Sequence, residues 1–121
     1  HYHLDWRLVK NPALKFENLV ACHLLKWVNF ETDTKGREMD LKYFRDVEGR
    51  EVDFVVLEDN KPILFAECKL DDRDIDPSLK YLKHKFPKVE SIQVSFQGKK
   101  DFVSTEGIRV TNALSFLKGL V

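Results

Sequence analysis

Apolar residues recur along the chain with two periods, and the change from one to the other marks its elements. From Pro12 to about Phe30 they return every three or four positions with no internal Gly or Pro, and Asn11-Pro12 supplies a cap followed by proline in the first turn. This segment predicts the longest helix, with a loop over Thr32 to Gly36. Leu41 to Arg45 is rich in aromatics and ends at the turn-like Glu48-Gly49, which predicts a first strand. Val52–Leu57 and Ile63–Cys68 are short and mostly apolar, and the stretch from Glu58 to Pro62 between them predicts a hairpin. Asp76-Pro77 repeats the cap-plus-proline signal, and Leu79, Leu82 and Phe86 keep helical spacing until Pro87. Ile92, Val94 and Phe96 then alternate with polar residues. Gln97 to Asp101 reads as a turn, Ile108 with Val110 as a further short strand, and Asn112 as the cap of a closing helix that carries Ala113, Leu114, Phe116 and Leu117.

The predicted order is therefore α-β-β-β-α-β-β-α. Three consecutive strands suit an antiparallel meander, and the helix before Ile92 allows a crossover, so the fold class is α/β: a mixed four- to five-stranded sheet flanked by helices. No internal repeat or low-complexity linker divides residues 1–121, which read as a single domain.

Four residues break this pattern. On a helical wheel with Phe16 at zero, Val20, Leu24, Trp27 and Val28 fall between about 20° and 120°, and Glu17 falls at about 100°, inside that arc. The polar sector, formed by Lys15, Asn18, Lys26 and Asn29, lies elsewhere. A carboxylate aimed at a core needs a partner, which is either a buried Arg or Lys or a functional centre. Asp53 interrupts an apolar strand, where aspartate is disfavoured. Glu67 and Lys69 are two apart and share one strand face, with Cys68 on the other; alone, this acid and base could simply neutralise each other. A hairpin that brought Asp53 beside Glu67, beneath a helix that lowered Glu17 onto them, would crowd three acids that one lysine cannot neutralise. Such a group must be protonated or bridged by a hard cation, and oxygen donors suit Mg²⁺ or Mn²⁺. The geometry depends on register: residue numbers paired across the hairpin must sum to an even value, or a bulge must intervene.

Composition narrows the setting. The chain has 121 residues, 43% hydrophobic and 12% aromatic, enough for one ordinary core. No apolar run approaches the roughly 18 residues that span a bilayer, so no membrane partner is expected. Met39 is the only methionine, so the chain is expected to be a piece of a longer protein. Cys22 and Cys68 are too few and too far apart for a disulfide framework, which favours reduced thiols and a cytoplasmic setting. Basic and acidic residues balance at 20 each, but residues 1–76 hold 12 basic and 17 acidic side chains and residues 77–121 hold 8 and 3. That asymmetry suits phosphate binding or a solvated face.

The acid on the first helix, the Asp in the second strand and the Glu-x-Lys in the third resemble the PD-(D/E)XK nuclease superfamily, here as Glu17, Asp53 and Glu67-Cys68-Lys69. The surroundings Phe16-Glu17-Asn18-Leu19-Val20-Ala21, Glu51-Val52-Asp53-Phe54-Val55 and Ala66-Glu67-Cys68-Lys69 resemble the C-terminal domain of unknown function attached to a large prokaryotic family of AAA+ ATPases, from about Leu4 to the end. The resemblance implies a restriction-endonuclease-like core and hydrolysis of nucleic-acid phosphodiesters by a Mg²⁺-dependent endonuclease. Asp53, Glu67 and the main-chain carbonyl of Cys68 would hold the ion, Lys69 would position or help deprotonate the attacking water, and Glu17 would hold a metal-coordinated water or a second ion. DNA and an ATPase domain in the same parent chain are the implied partners, oligomers are allowed, and Lys80 or Lys83 could meet phosphate.

The sequence departs from that pattern at Val52, which stands where the motif has proline, and at Asp71, Asp72, Asp74 and Asp76, whose charge beyond Lys69 should repel DNA unless the loop is turned away. As a Ca²⁺ loop the Asp72-x-Asp74-x-Asp76 run fails, since Pro77 stands where Gly is needed and Lys83 where a bidentate Glu should be. Cys22, His23, Cys68 and His84 lack zinc-ligand spacing, and His23 is expected to pack in the core. Phe16, Trp27, Phe54 and Phe65 are expected in the core rather than as base-stacking surfaces. There is no phosphate-cradling Gly-rich loop and no G-x-S-x-G nucleophile. Two alternatives to a nuclease remain: an inactive nucleic-acid-binding or regulatory and assembly module of the ATPase, and a set of purely structural ion pairs.

Overall fold

The computed structural model describes residues 12–71 and 73–119. The Asn11 cap, the stretch from Leu4 to Asn11 and Asp72 lie outside the described residues. The elements are α1 (Pro12–Lys35), β1 (Met39–Arg45), β2 (Glu51–Glu58), β3 (Lys61–Lys69), α2 (Pro77–Lys85), β4 (Glu90–Ser95), β5 (Phe102–Val103), β6 (Arg109–Asn112) and α3 (Ala113–Gly119). One mixed six-stranded sheet has the order β1-β2-β3-β4-β6-β5. β1, β2 and β3 form an antiparallel meander. β3, β4 and β6 run parallel, and β5 returns antiparallel at the edge. The α/β reading therefore holds, with one strand more than expected. β5 was hidden because its two residues are both exposed and carry no alternation for a pattern to reveal.

α1 runs on to Lys35, through the stretch expected to be a loop. It stops at Gly36, whose φ of 68° is a left-handed conformation that favours glycine, with the Gly36 N–H bonding back to the Thr32 carbonyl. The extra turn holds Glu31, which is buried yet ion-paired to Lys35 and Arg37; Arg37 also grips Glu58, tying the end of α1 to the end of β2. The apolar arc of α1 packs as read: Phe16, Val20, Leu24 and Val28 are buried against Phe54 and Val56 of β2, Leu64 and Ala66 of β3, and Ile92 and Val94 of β4. Phe116 of α3 joins this core, and Asn112 caps α3 by accepting the Ser115 N–H at 2.9 Å. Asn18 departs from expectation. It was placed in the polar sector but is buried, while Lys15, Lys26 and Asn29 are exposed.

A second core forms on the other side of the sheet from Val52, Val55 and Phe65 with Leu79 and Leu82 of α2 and Ile108. Phe86 is exposed beyond the end of α2 and leans on Phe65 with ring centroids 5.9 Å apart. Val52 and Val55 share this core although three positions apart, which regular alternation forbids. A bulge explains it: Lys42 pairs with Val55 but Phe44 pairs with Val52, so Asp53 and Phe54 together face Tyr43. Asp53 is thus one of the two residues at which β2 leaves the regular pleat.

The hairpin register has a second irregularity. Asp59 and Asn60, both at positive φ, make a two-residue turn, so the strands reach further into the expected Glu58–Pro62 loop than their apolar runs suggest. Leu57 pairs with Pro62, but Val56 pairs with Leu64, leaving Ile63 as an extra residue. Pro62 is tolerated because β4 begins only opposite Leu64, so no neighbour on that side needs its missing N–H. Without the bulge, the Leu57–Pro62 register would place Asp53 and Glu67 on opposite faces. With it, the pairing continues as Val55 with Phe65 and Phe54 with Ala66, and Asp53 arrives opposite Glu67.

Candidate functional site

Beyond the Phe54–Ala66 pair, β2 and β3 separate, and side chains replace the ladder. The Asp53 N–H donates to Glu67 Oε1 at 2.9 Å, and the Cys68 N–H donates to Asp53 Oδ2 at 2.9 Å. Each carboxylate thereby satisfies a main-chain donor on the opposite strand. This is why two acids persist within largely apolar strands: they close an opening that the bulged backbone leaves. Phe16 and Glu17 of α1, Asp53, and Glu67, Cys68, Lys69 and Leu70 line a recess of about 170 Å³. All four residues singled out from sequence, together with Cys68, are therefore brought to one place.

The electrostatics are those of crowded acids. Burial raises Glu17 to about 7, reinforced by a hydrogen bond with the Asp53 carboxylate and by its charge and opposed by Lys69. Burial likewise raises Glu67 to about 8, with the Asp53 charge adding to it and the Asp53 N–H and Lys69 opposing. Near neutral pH the cluster therefore retains protons, which these acids share as a group. Burial pushes the Cys68 thiol well up, and the surrounding carboxylates push it further. With its side chain packed against the α1 core, Cys68 is a poor thiolate nucleophile.

Lys69 donates to Asp76 Oδ2 at 2.8 Å and lies 3.3 Å from Glu67 Oε2. Its burial alone would lower the ammonium, but Asp76 and Glu67 outweigh that and raise it. Lys69 is thus a fixed cation, able to donate and orient but poorly placed to accept a proton.

Asp76 is a member of this cluster that sequence reasoning treated only as a helix cap and a source of repulsion. It does cap α2, accepting the Ser78 N–H at 2.8 Å with Oδ1, while Oδ2 faces Lys69. Burial would raise its carboxyl, but Lys69 and the Ser78 N–H hold it below the ordinary value. Gln93 on β4, fully buried beside Glu67 in the parallel pairing, holds the preceding loop in place. Its Oε1 accepts the Asp76 N–H at 2.9 Å, and its Nε2 reaches the carbonyls of Arg73 and Asp74 at 3.4 and 3.3 Å. The alternation of Ile92, Val94 and Phe96 placed Gln93 on the polar face and gave no sign of its burial, which the amide meets with these partners. The acidic loop is therefore not uniformly repulsive: Asp76 turns inward, and Asp71 is neutralised by Arg73 at 2.7 Å.

The remaining readings sort plainly. Phe16, Phe54 and Phe65 are core residues and Trp27 packs at the core margin. His23 is half-buried with Nδ1 2.9 Å from the Leu19 carbonyl oxygen, rather than fully packed. Lys80 and Lys83 stand on α2, away from the recess lining. Among the described residues, no three or more His, Cys, Asp or Glu side chains are already disposed to hold a metal ion, and no helix is long and apolar enough to cross a membrane. The recess supplies hard oxygen donors of the type Mg²⁺ or Mn²⁺ takes, but they are presently engaged with protons, N–H groups and Lys69.

No curated protein and no solved structure matches the chain. Residues 14–116, which span α1 through most of α3 and contain every residue of the recess, match one family along their whole length, and the chain belongs to that family, described as Domain of unknown function (DUF4143).

Proposed function

We propose that the acidic recess is a divalent-metal site of PD-(D/E)XK type and that the domain hydrolyses nucleic-acid phosphodiesters as the C-terminal module of an AAA+-type ATPase. The observation that carries this reading is the convergence of Glu17, Asp53, Glu67 and Lys69 on one recess, with Glu17 raised to about 7 and Glu67 to about 8 by burial and by repulsion from Asp53. Structural ion pairing alone leaves that repulsion unrelieved, since Lys69 also serves Asp76. Asp53, Glu67 and the Cys68 carbonyl would hold Mg²⁺ or Mn²⁺, with Glu17 alongside, once the present protons and the Lys69 contact give way. A bound divalent ion would supply charge stabilisation at phosphate oxygens and a lowered water pKa.

The chain's own contribution is positional. Asp53 and Glu67 keep one oxygen each on a main-chain N–H, which fixes their orientation while leaving the second oxygen to turn toward the recess. Lys69, held as an ammonium by Asp76, orients a nucleophilic water or steadies phosphate charge rather than acting as the base.

A second reading, an inactive nucleic-acid-binding or assembly module, is favoured by the absence of a ready-made metal cluster among the described residues. Incubating the 121-residue chain with Mg²⁺ or Mn²⁺ and DNA of varied structure, beside a Glu67→Ala, Lys69→Ala variant, separates the two. The nuclease reading expects cleavage by the parent alone. Equal cleavage by both proteins, or none by either, removes it.

A further inference from the structure

On the side of the sheet occupied by α2, the structure carries a larger groove that the recess does not use. It has a volume of about 670 Å³, and its lining includes Arg50, Lys80, Tyr81, Lys83, His84 and Glu106. Pro77 of its lining directly follows Asp76, the partner of Lys69.

Two cations of this groove, Arg50 and Lys83, are held by close contacts, while Lys80 is left exposed. The Arg50 guanidinium lies 3.9 Å over the Tyr81 ring and is anchored by Asp46 and Glu48. Lys83 bonds the Val89 carbonyl at 2.9 Å and packs where a Cβ on Gly107 would meet its Cε at 3.3 Å. Lys80 is exposed and meets Glu106 only at 3.7 Å, a contact loose enough to be exchanged for a stronger anion. His84 and Lys85 extend the same basic last turn, with Lys85 5.8 Å from the Tyr81 ring.

We infer that this groove is a track for the phosphate backbone of a nucleic-acid strand, with Lys80 as its principal phosphate contact. The choice of partner rests on reading the recess as a nucleic-acid site. The groove itself favours a strand over its competitors. It is concave, whereas a lipid headgroup layer is flat. Lys80 also stands three residues from Lys83 on α2, about 4.5 Å along the axis, and two cations so spaced suit repeated charge better than one phosphoryl group. Since Arg50 already covers Tyr81, base stacking is not invoked, and binding should be insensitive to sequence.

The test measures binding of the 121-residue chain to fluorescent single- and double-stranded oligonucleotides of DNA and RNA in EDTA, at several salt concentrations. Lys80→Glu should weaken binding about fivefold or more and reduce the slope of log Kd against log salt by about one, the signature of one lost phosphate contact. Lys26→Glu, the same reversal on exposed α1, should stay within about twofold of the parent. Equal weakening by both reversals, or no effect of either, overturns the proposal. Binding to a phosphoserine peptide or to anionic vesicles that Lys80→Glu abolishes, with none to oligonucleotides, also overturns it and reassigns the groove. EDTA makes the readout independent of metal: oligonucleotide binding that depends on Lys80 supports the groove even if Mg²⁺ never stabilises or activates the recess.

Discussion

Replacing Glu67 by glutamine tests the central physical claim, that burial, reinforced by the charge of neighbouring acids, keeps protons in the recess. Glu67→Gln keeps the shape and an oxygen to accept the Asp53 N–H, but cannot ionise. In the parent, Glu67 is raised from 4.5 to about 8. Between those values the unfolded chain has released this proton while the folded chain keeps it, so folding stability falls as pH rises. The favourable contribution is whole below about pH 4.5 and is gone once pH has passed about 8. At about 1.4 kcal/mol for each tenfold change in proton affinity, the ceiling is roughly 4–5 kcal/mol. Glu17, raised to about 7 in the same recess, shares in this effect, so a part of it, roughly 2–4 kcal/mol, is expected from one substitution. For a domain of this size, 1 kcal/mol moves Tm by about 3–6 °C. Thermal unfolding from pH 4.5 to 8.5 should therefore show the variant gaining on the parent by on the order of 10 °C as pH rises. Carboxyls lowered by cations outside the recess, such as Glu58 and Asp46, shape both curves equally and cancel in the difference. Parallel curves would refute the reasoning and leave Glu67 an ordinary paired carboxylate.

Other outcomes follow from the same geometry. Mg²⁺ at a hundredfold excess over its dissociation constant should stabilise the parent by about 2.7 kcal/mol at pH 8, less at pH 5.5 where protons compete, and not at all in Glu67→Gln, as read by thermal shift. Asp76→Ala should lower stability by about 0.5–2 kcal/mol in chemical denaturation through the lost cap, whereas Asp76→Asn, which keeps an acceptor for the Ser78 N–H, should lose less while still releasing Lys69. Leu24→Ala, at a fully buried position under α1, should cost about 2–5 kcal/mol by the same measurement. Gly36→Ala should cost roughly 1 kcal/mol through its positive φ alone, because a Cβ there meets nothing within 4 Å.

Much of this molecule can be read from its residues, because burial imposes a period on each element. Phe16, Val20, Leu24 and Val28 marked the inner face of α1, Asp76-Pro77 and Asn112 marked helix starts, and Glu17, Asp53, Glu67 and Lys69 stood out because charge is disfavoured where apolar neighbours predominate. Their meeting could not be read in this way. It depends on Ile63 standing unpaired in β3 and on Asp53 and Phe54 sharing one partner in β1, and a bulge leaves the residue types of a strand unchanged while moving its side chains from one face to the other. The inward turn of Asp76 onto Lys69 is of the same kind, because it is set by Gln93 from a strand 17 residues away along the chain. The sequence by itself determined which residues are costly to bury; only the tertiary structure decided which of those costs are met together, because register and long-range hydrogen bonds are properties of paired strands and not of either strand alone.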